Sequence, residues 1–349
     1  MKLAHKHNWS ICLGWIVLGV CLLSACGSGF TDISSDMQRN IHPLDTPTGS
    51  YFGVAWIQPN LISFIYSDQP TEPKALWDYD IRLFQLGIDG WNRLEIPRPA
   101  ECRLPRTYMH QRLPNNSLGF IYECFIDREH VTDQRRTLQM WEPQSQSLQV
   151  LHQFPDNWFP SQYAFSPNMS EWIQEQTLGS GINDLYRVKQ EGPMERILPD
   201  FARASSPAWS NDGRQIAFFG NEAYPGKKPG ELRNLSEIRD FIMAPWDLYL
   251  MDADGDNLRK VLSGVGGSTI KWLPQGDFIS FIGEYGGRVG IWVLNLKTEK
   301  MTLVWPYSAD YDWSPDGKQM IVIEKKDAGK VTHPAIVDVP QDIFKTESQ

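Results

Sequence analysis

Apolar residues in this chain fall in short runs separated by polar turns, and one arrangement recurs. Pro207 to Phe219, PAWSNDGRQIAFF, reads as an apolar strand, a tight turn over Ser210-Asn211-Asp212-Gly213, and a second apolar strand. Tyr311 to Ile323, YDWSPDGKQMIVI, is its sharpest copy: Pro315 presets φ, Asp316 can bond its own backbone, and Gly317 supplies the left-handed position. A four-residue turn of this kind closes a β-hairpin. Ile270 to Ile282 and Tyr163 to Gln174 repeat the plan, and Gln111 to Tyr122 and Val54 to Tyr66 carry it with shortened turns. The copies recur every ~40–65 residues, in or just above the window of propellers and other repeat architectures.

Each hairpin is followed by a second paired segment, as in Asp80 to Pro97, where Asp89-Gly90 makes the turn. Arg136 to Phe154, Asn183 to Asp200, Trp246 to Gly264 and Val289 to Pro306 follow the same plan. Four strands per unit and six units predict an all-β fold, a six-bladed β-propeller of four-stranded blades. Runs such as IAFF, MIVI and GFIY are apolar at consecutive positions, as strands covered on both faces require. The last unit lacks a fourth strand. Met37 to Leu44 is expected to supply it and close the ring, with Gln341 to Thr346 as the rival. Gly220 to Pro245 breaks the pattern: a loop from Ala223 to Gly230 precedes Leu232, Leu235, Ile238, Phe241 and Ile242 at helical spacing. This predicts a short helical insertion in blade four.

LYLMDADGDNLRKVL (Leu248 to Leu262) and WSPDGKQMIVI (Trp313 to Ile323) resemble the repeats of TolB-like propellers, relatives of WD repeats. The resemblance implies a six-bladed ring and a protein that is exported or envelope-associated. Its residues make turns and cores, so it speaks for the fold and hardly for chemistry.

Charge and the first residues add a compartment. The chain holds 33 Lys and Arg against 42 Asp and Glu, a net charge of -9. An acidic surface repels a phosphate backbone, so no nucleic-acid partner is expected. Lys2 and Lys6 precede an apolar run from Ile11 to Leu23, ending in Leu23-Ser24-Ala25-Cys26. This pattern reads as an export signal, short for a membrane span. LSAC resembles the lipobox of bacterial lipoproteins, which implies lipidation of Cys26; an ordinary signal peptide or an uncleaved anchor is the alternative. The expected organisation is residues 1–25 as a lipoprotein signal peptide, 26–50 as a lipidated tether with the ring-closing strand, and 51–349 as the propeller. Such a protein would be a membrane-anchored lipoprotein of the bacterial cell envelope, facing the exterior or periplasm.

Candidate chemistry is sparse. Cys102 and Cys124 are the pair left for an oxidising compartment, as a disulfide or as two buried thiols. Asp252 to Asn257 alternates acids like a calcium loop, but Asn257 stands sixth and Ser263 twelfth, where an EF-hand wants Gly and Glu. Trp209, Trp272 and Trp313 could stack sugars, yet their repeated place fits inter-blade core. Gly264 to Ser268 reads as a flexible connection, with no nucleophile-elbow motif. Neither a cofactor nor a metal is expected. The functional reading is a protein-binding or scaffolding module with an envelope protein or glycan as partner. The alternatives are a hydrolase or lyase at the channel mouth and a carbohydrate-binding module using Trp158, Phe159 and Tyr224. Trp158, Tyr224, Lys227 and Lys228 are the candidates for partner contact, the lysines favouring an acidic group.

Overall fold

The computed structural model describes residues 41–47, 49–67, 82–87, 90–97, 102, 104–125, 136–154, 160–178, 182–190, 192–198, 201, 203–222, 237, 246–326 and 331–344. They form six antiparallel four-stranded sheets, the blades of a β-propeller. Blade one is β2 (Ser50–Gln58), β3 (Leu61–Ser67), β4 (Arg82–Gly87) and β5 (Gly90–Leu94). Blade two is β6 (Leu104–Arg112), β7 (Leu118–Phe125), β8 (Arg136–Glu142) and β9 (Ser147–Phe154). Blade three is β10 (Pro160–Phe165), β11 (Glu171–Leu178), β12 (Ile182–Lys189) and β13 (Met194–Arg196). Blade four is β14 (Arg203–Trp209), β15 (Gln215–Asn221), β16 (Asp247–Asp252) and β17 (Arg259–Leu262). Blade five is β18 (Gly266–Trp272), β19 (Phe278–Tyr285), β20 (Arg288–Asn295) and β21 (Met301–Trp305). Blade six takes β22 (Asp310–Trp313), β23 (Gln319–Lys326) and β24 (Val331–Asp338) from the end of the chain, and its outermost strand, β1 (Ile41–Pro43), from the beginning.

The hairpin turns follow from their residues. In blade four Ser210 Oγ bonds Asp212 Oδ1 at 2.7 Å, Asp212 Oδ1 accepts from Arg214 N, and Gly213 takes φ 72°. Blade six repeats this with Ser314, Asp316, Lys318 and Gly317 at φ 68°. Blade three uses Ser166 and Asn168, with Met169 at φ 61° where the others place glycine. These bonds hold the carboxyls of Asp212 and Asp316 below their ordinary range, first through the serine hydroxyl. Both acids are turn acceptors.

Among the described residues the core is six apolar clusters, one at each contact between neighbouring blades. Consecutive apolar residues divide between them. Ile216 and Phe218 pack toward blade three, whereas Ala217 and Phe219 pack toward blade five. Met320 and Val322 face blade five, and Ile321 and Ile323 face Tyr51, Val54 and Phe64 of blade one. A strand covered on both sides has no polar side to show.

β1 pairs with β24 through Ile41–Val337, His42–Ile336 and Pro43–Ala335, and Leu44 N donates to Pro334 O at 3.1 Å. Residues 37–40 lie outside the described residues. The rival closing segment is not a strand: Gln341–Phe344 forms a 3-10 helix, with Phe344 edge-on to Phe278 and Trp313. The reading of Gly264 to Ser268 as a mere connection also needs correction, because β18 begins at Gly266. Gly267 packs so tightly that an added Cβ would stand 2.5 Å from the Phe219 ring. The glycine serves packing there. Of the insertion in blade four, Gly220 and Asn221 end β15, Glu222 follows it and Glu237 is helical; residues 223–236 and 238–245 lie outside the described residues.

Candidate functional site: the channel mouth

The six inner strands surround a cavity of about 900 Å³. Its wall runs from the middle of β2, β6, β10, β14, β18 and β22 to the first hairpin turns, including Pro167, Asn211, Pro274 and Pro315. In an antiparallel blade these turns lie opposite the connections between second and third strands. The cavity therefore opens on the hairpin face.

One repeat position organises the wall: Trp56, Arg112, Phe165, Trp209, Trp272 and Trp313, each near the end of an inner strand. Trp209 Nε1 donates to Ala164 O at 3.0 Å and Trp272 Nε1 to Ala208 O at 3.1 Å, each tying its blade to the preceding one. Trp313 Nε1 donates to Ser280 Oγ of blade five at 2.8 Å. Arg112 fills the position in blade two and donates to Trp56 O at 2.8 Å. Trp56 departs from the rule, its Nε1 buried with no hydrogen-bond partner among the described residues.

Acids close that gap between blades six and one. Asp312 accepts from Trp56 N at 2.7 Å and pairs with Lys271 Nζ at 2.7 Å, joining blades five, six and one. Asp310 accepts from Gly53 N at 3.3 Å. The donor is turned outward by a β-bulge between Phe52 and Val54, where Gly53 takes φ 70°. The same device recurs in blade four: Ser206, at φ 53° in a bulge of β14, donates its N–H to Glu175 of blade three at 2.8 Å. Burial raises the Glu175 carboxyl above its ordinary range, against the hydrogen bonds from Ser206 and Ser161. Tyr163 OH donates to Glu123 Oε1 at 2.5 Å across blades two and three. Burial, and then the Glu123 carboxylate, push its phenol well up. Much of the wall's polar chemistry thus links neighbouring blades.

His110 is different. It lines the cavity from β6, edge-on to Phe120, with its Nε2 buried and unpartnered among the described residues. Burial, and then the charge of Lys271, lower its pKa from 6.5 to about 3. The unfolded chain therefore takes up this proton first, and stability falls as pH drops through the window from about 6.5 to about 3. We expect His110→Gln to lose less stability across that range in chemical denaturation at stepped pH. Parallel curves for the two proteins would show that His110 does not carry the effect.

Cys102 and Cys124, both buried, form a disulfide with Cα atoms 5.3 Å apart, tying the start of blade two to its second strand. Trp209, Trp272 and Trp313 are each less than a tenth exposed and lie between blades. Asp252 to Asn257 is the turn from β16 to β17. Among the described residues no group of three or more His, Cys, Asp or Glu is placed to hold a metal ion. Cys26, Trp158, Tyr224, Lys227 and Lys228 lie outside the described residues. Sequence reading missed Lys271 and Asp312, and His110 stands there only as one of five histidines, with His42, His130, His152 and His333, that lack metal-ligand spacing. The available signal was that Lys271 and Asp312 stand at an inner-strand position where three other blades carry alanine: Ala55, Ala164 and Ala208.

Ring, blade plan and channel define a six-bladed β-propeller. Among solved structures it is similar to an oligogalacturonate lyase in complex with manganese, at 14% identity and TM-score 0.55, covering 86% of this chain and 80% of that one. It is similar also to TolB from Acinetobacter baumannii, at 13% identity and TM-score 0.52, covering 79% of this chain and 63% of that one. An oligogalacturonate lyase from Vibrio parahaemolyticus matches at 13% identity and TM-score 0.52, covering 85% and 93%. At such identities the likeness is one of fold. No family model matches the sequence, and comparison with curated proteins finds no match.

Proposed function

We propose that this chain is a binding propeller of the bacterial cell envelope, tethered through a lipid on Cys26, that receives a protein or glycan partner at its channel mouth. The carrying observation is the cavity of about 900 Å³ whose wall is drawn from all six blades. A concave, preformed wall suits recognition, because binding then orders few side chains. Arg112 and Gln162 are exposed there and offer further hydrogen-bond donors. A lyase or hydrolase reading is less well supported. Lys271 and Asp312 neutralise each other, and His110 turns a buried Nε2 away from solvent.

The test places a photo-crosslinking residue at Gln162 in the cavity or at Tyr307, an exposed residue between blades five and six. Capture of a protein or glycan from Gln162 is the expected result. Capture from Tyr307 alone would move the function to the opposite face. Anchoring is tested separately: Cys26→Ser should abolish incorporation of a labelled fatty acid, and retained label would refute lipidation at Cys26.

A further inference from the structure

The outermost strand of each blade presents an open edge, and unpaired edges invite another strand unless something blunts them. Five of the six outer strands are blunted. β1 and β13 have 3 residues each, the first ending in Pro43 and the second carrying Glu195 and Arg196. β17 has 4 residues and carries Arg259 and Lys260. β5 has 5 residues and carries Arg93, and β21, also 5 residues, is buried throughout.

β9 has none of these protections. It is 8 residues long, SLQVLHQF, and no Asp, Glu, Lys or Arg occurs from Pro143 to Pro155. Leu148 is 40% and Val150 57% exposed, two residues apart and therefore on one side of the strand. Between-strand backbone bonds tie it to β8 alone among the described strands.

We propose that β9 is a dimerisation edge, on which a second copy of this chain adds its own β9 antiparallel about a twofold axis at Gln149. That register sets Leu148 opposite the partner's Val150, and Val150 opposite the partner's Leu148. One strand thus supplies both halves of a self-complementary contact, as an isologous dimer requires. Residues directly opposite in an antiparallel pair make the favourable cross-strand contacts. The chain carries a net charge of -9, so two copies repel in general. The seam without charges is where they can meet, and the two blades join into one eight-stranded sheet.

The experiment uses the full chain in its native membrane. Gln149→Cys places two thiols at the twofold, where opposed Cβ atoms lie within about 5.5 Å. Mild oxidation should give a dimer of twice the chain mass. The unsubstituted chain and Lys260→Cys, on the outer strand of blade four, should not. Adding Val150→Lys to Gln149→Cys sets like charges into the seam and should lower crosslinking roughly tenfold or more. Light scattering of the detergent-solubilised parent should give the dimer mass, independently of any variant. Crosslinking no greater than in the unsubstituted chain, with a monomer mass, would overturn the proposal. Gln149→Cys linked instead to a different protein would overturn the second copy as occupant.

Discussion

Asp312→Ala is expected to lower the unfolding free energy by about 2–4 kcal/mol, the cost of breaking a partly buried, hydrogen-bonded ion pair. Asp312 accepts from Trp56 N and from Lys271 Nζ, each at 2.7 Å. Alanine leaves a backbone donor and an ammonium group unmatched at the contact between blades six and one. Trp56 offers no replacement there, its Nε1 already lacking a partner among the described residues. Asp312→Asn should lose less, since its amide oxygen can still accept from Trp56 N while Lys271 loses its counter-charge. Urea unfolding midpoints at neutral pH decide the matter. A midpoint for Asp312→Ala equal to the parent's would assign closure to the apolar cluster around Ile321, Ile323 and Tyr51 instead.

Replacing residues 41–47 with a glycine-serine segment of equal length is expected to cost more, on the order of 5 kcal/mol, a fall in Tm of roughly 10 °C. The segment does two jobs. On blade six it pairs with β24, and Leu44 N donates to Pro334 O. On blade one its carbonyls accept side chains: Trp91 Nε1 donates to Asp45 O at 2.7 Å and Tyr51 OH to Pro47 O at 2.8 Å. The replacement keeps the chain length but uncovers the edge of β24 and removes the strap between the blades. Aggregation on heating should accompany the loss. A melt unchanged from the parent's would show that the strap contributes nothing.

The fold was legible because its signals are local and repeated. A serine, an acid or asparagine, and a residue at positive φ mark the hairpins of blades three, four and six, as Ser210-Asn211-Asp212-Gly213 does. Apolar runs such as MIVI state that both faces are covered, and the structure divides them alternately between two cores. The channel mouth was far less legible. Lys271, Asp312 and Trp56 meet because the ring brings blades five, six and one together, and no spacing along the chain records that. The bulges at Gly53 and Ser206 were hidden too, since a residue at positive φ inside an inner strand depends on the acid it faces in the neighbouring blade. Cys26, Trp158, Tyr224, Lys227 and Lys228 were chosen from segments outside the described residues.

The outer strand of blade six also sets an order of events. His42 lies 3.0 Å from Asp338, a contact between residues 296 positions apart. Of the described strands a ribosome makes β1 first and its partner β24 last, so β1 waits through five whole blades before it can pair. Such long-range closure is slow, and until it happens β24 has a bare edge. The wall around Asp312 needs both neighbours of that junction in place. A chain that stops short of blade six has no finished mouth, so the recognition proposed there requires synthesis through β24.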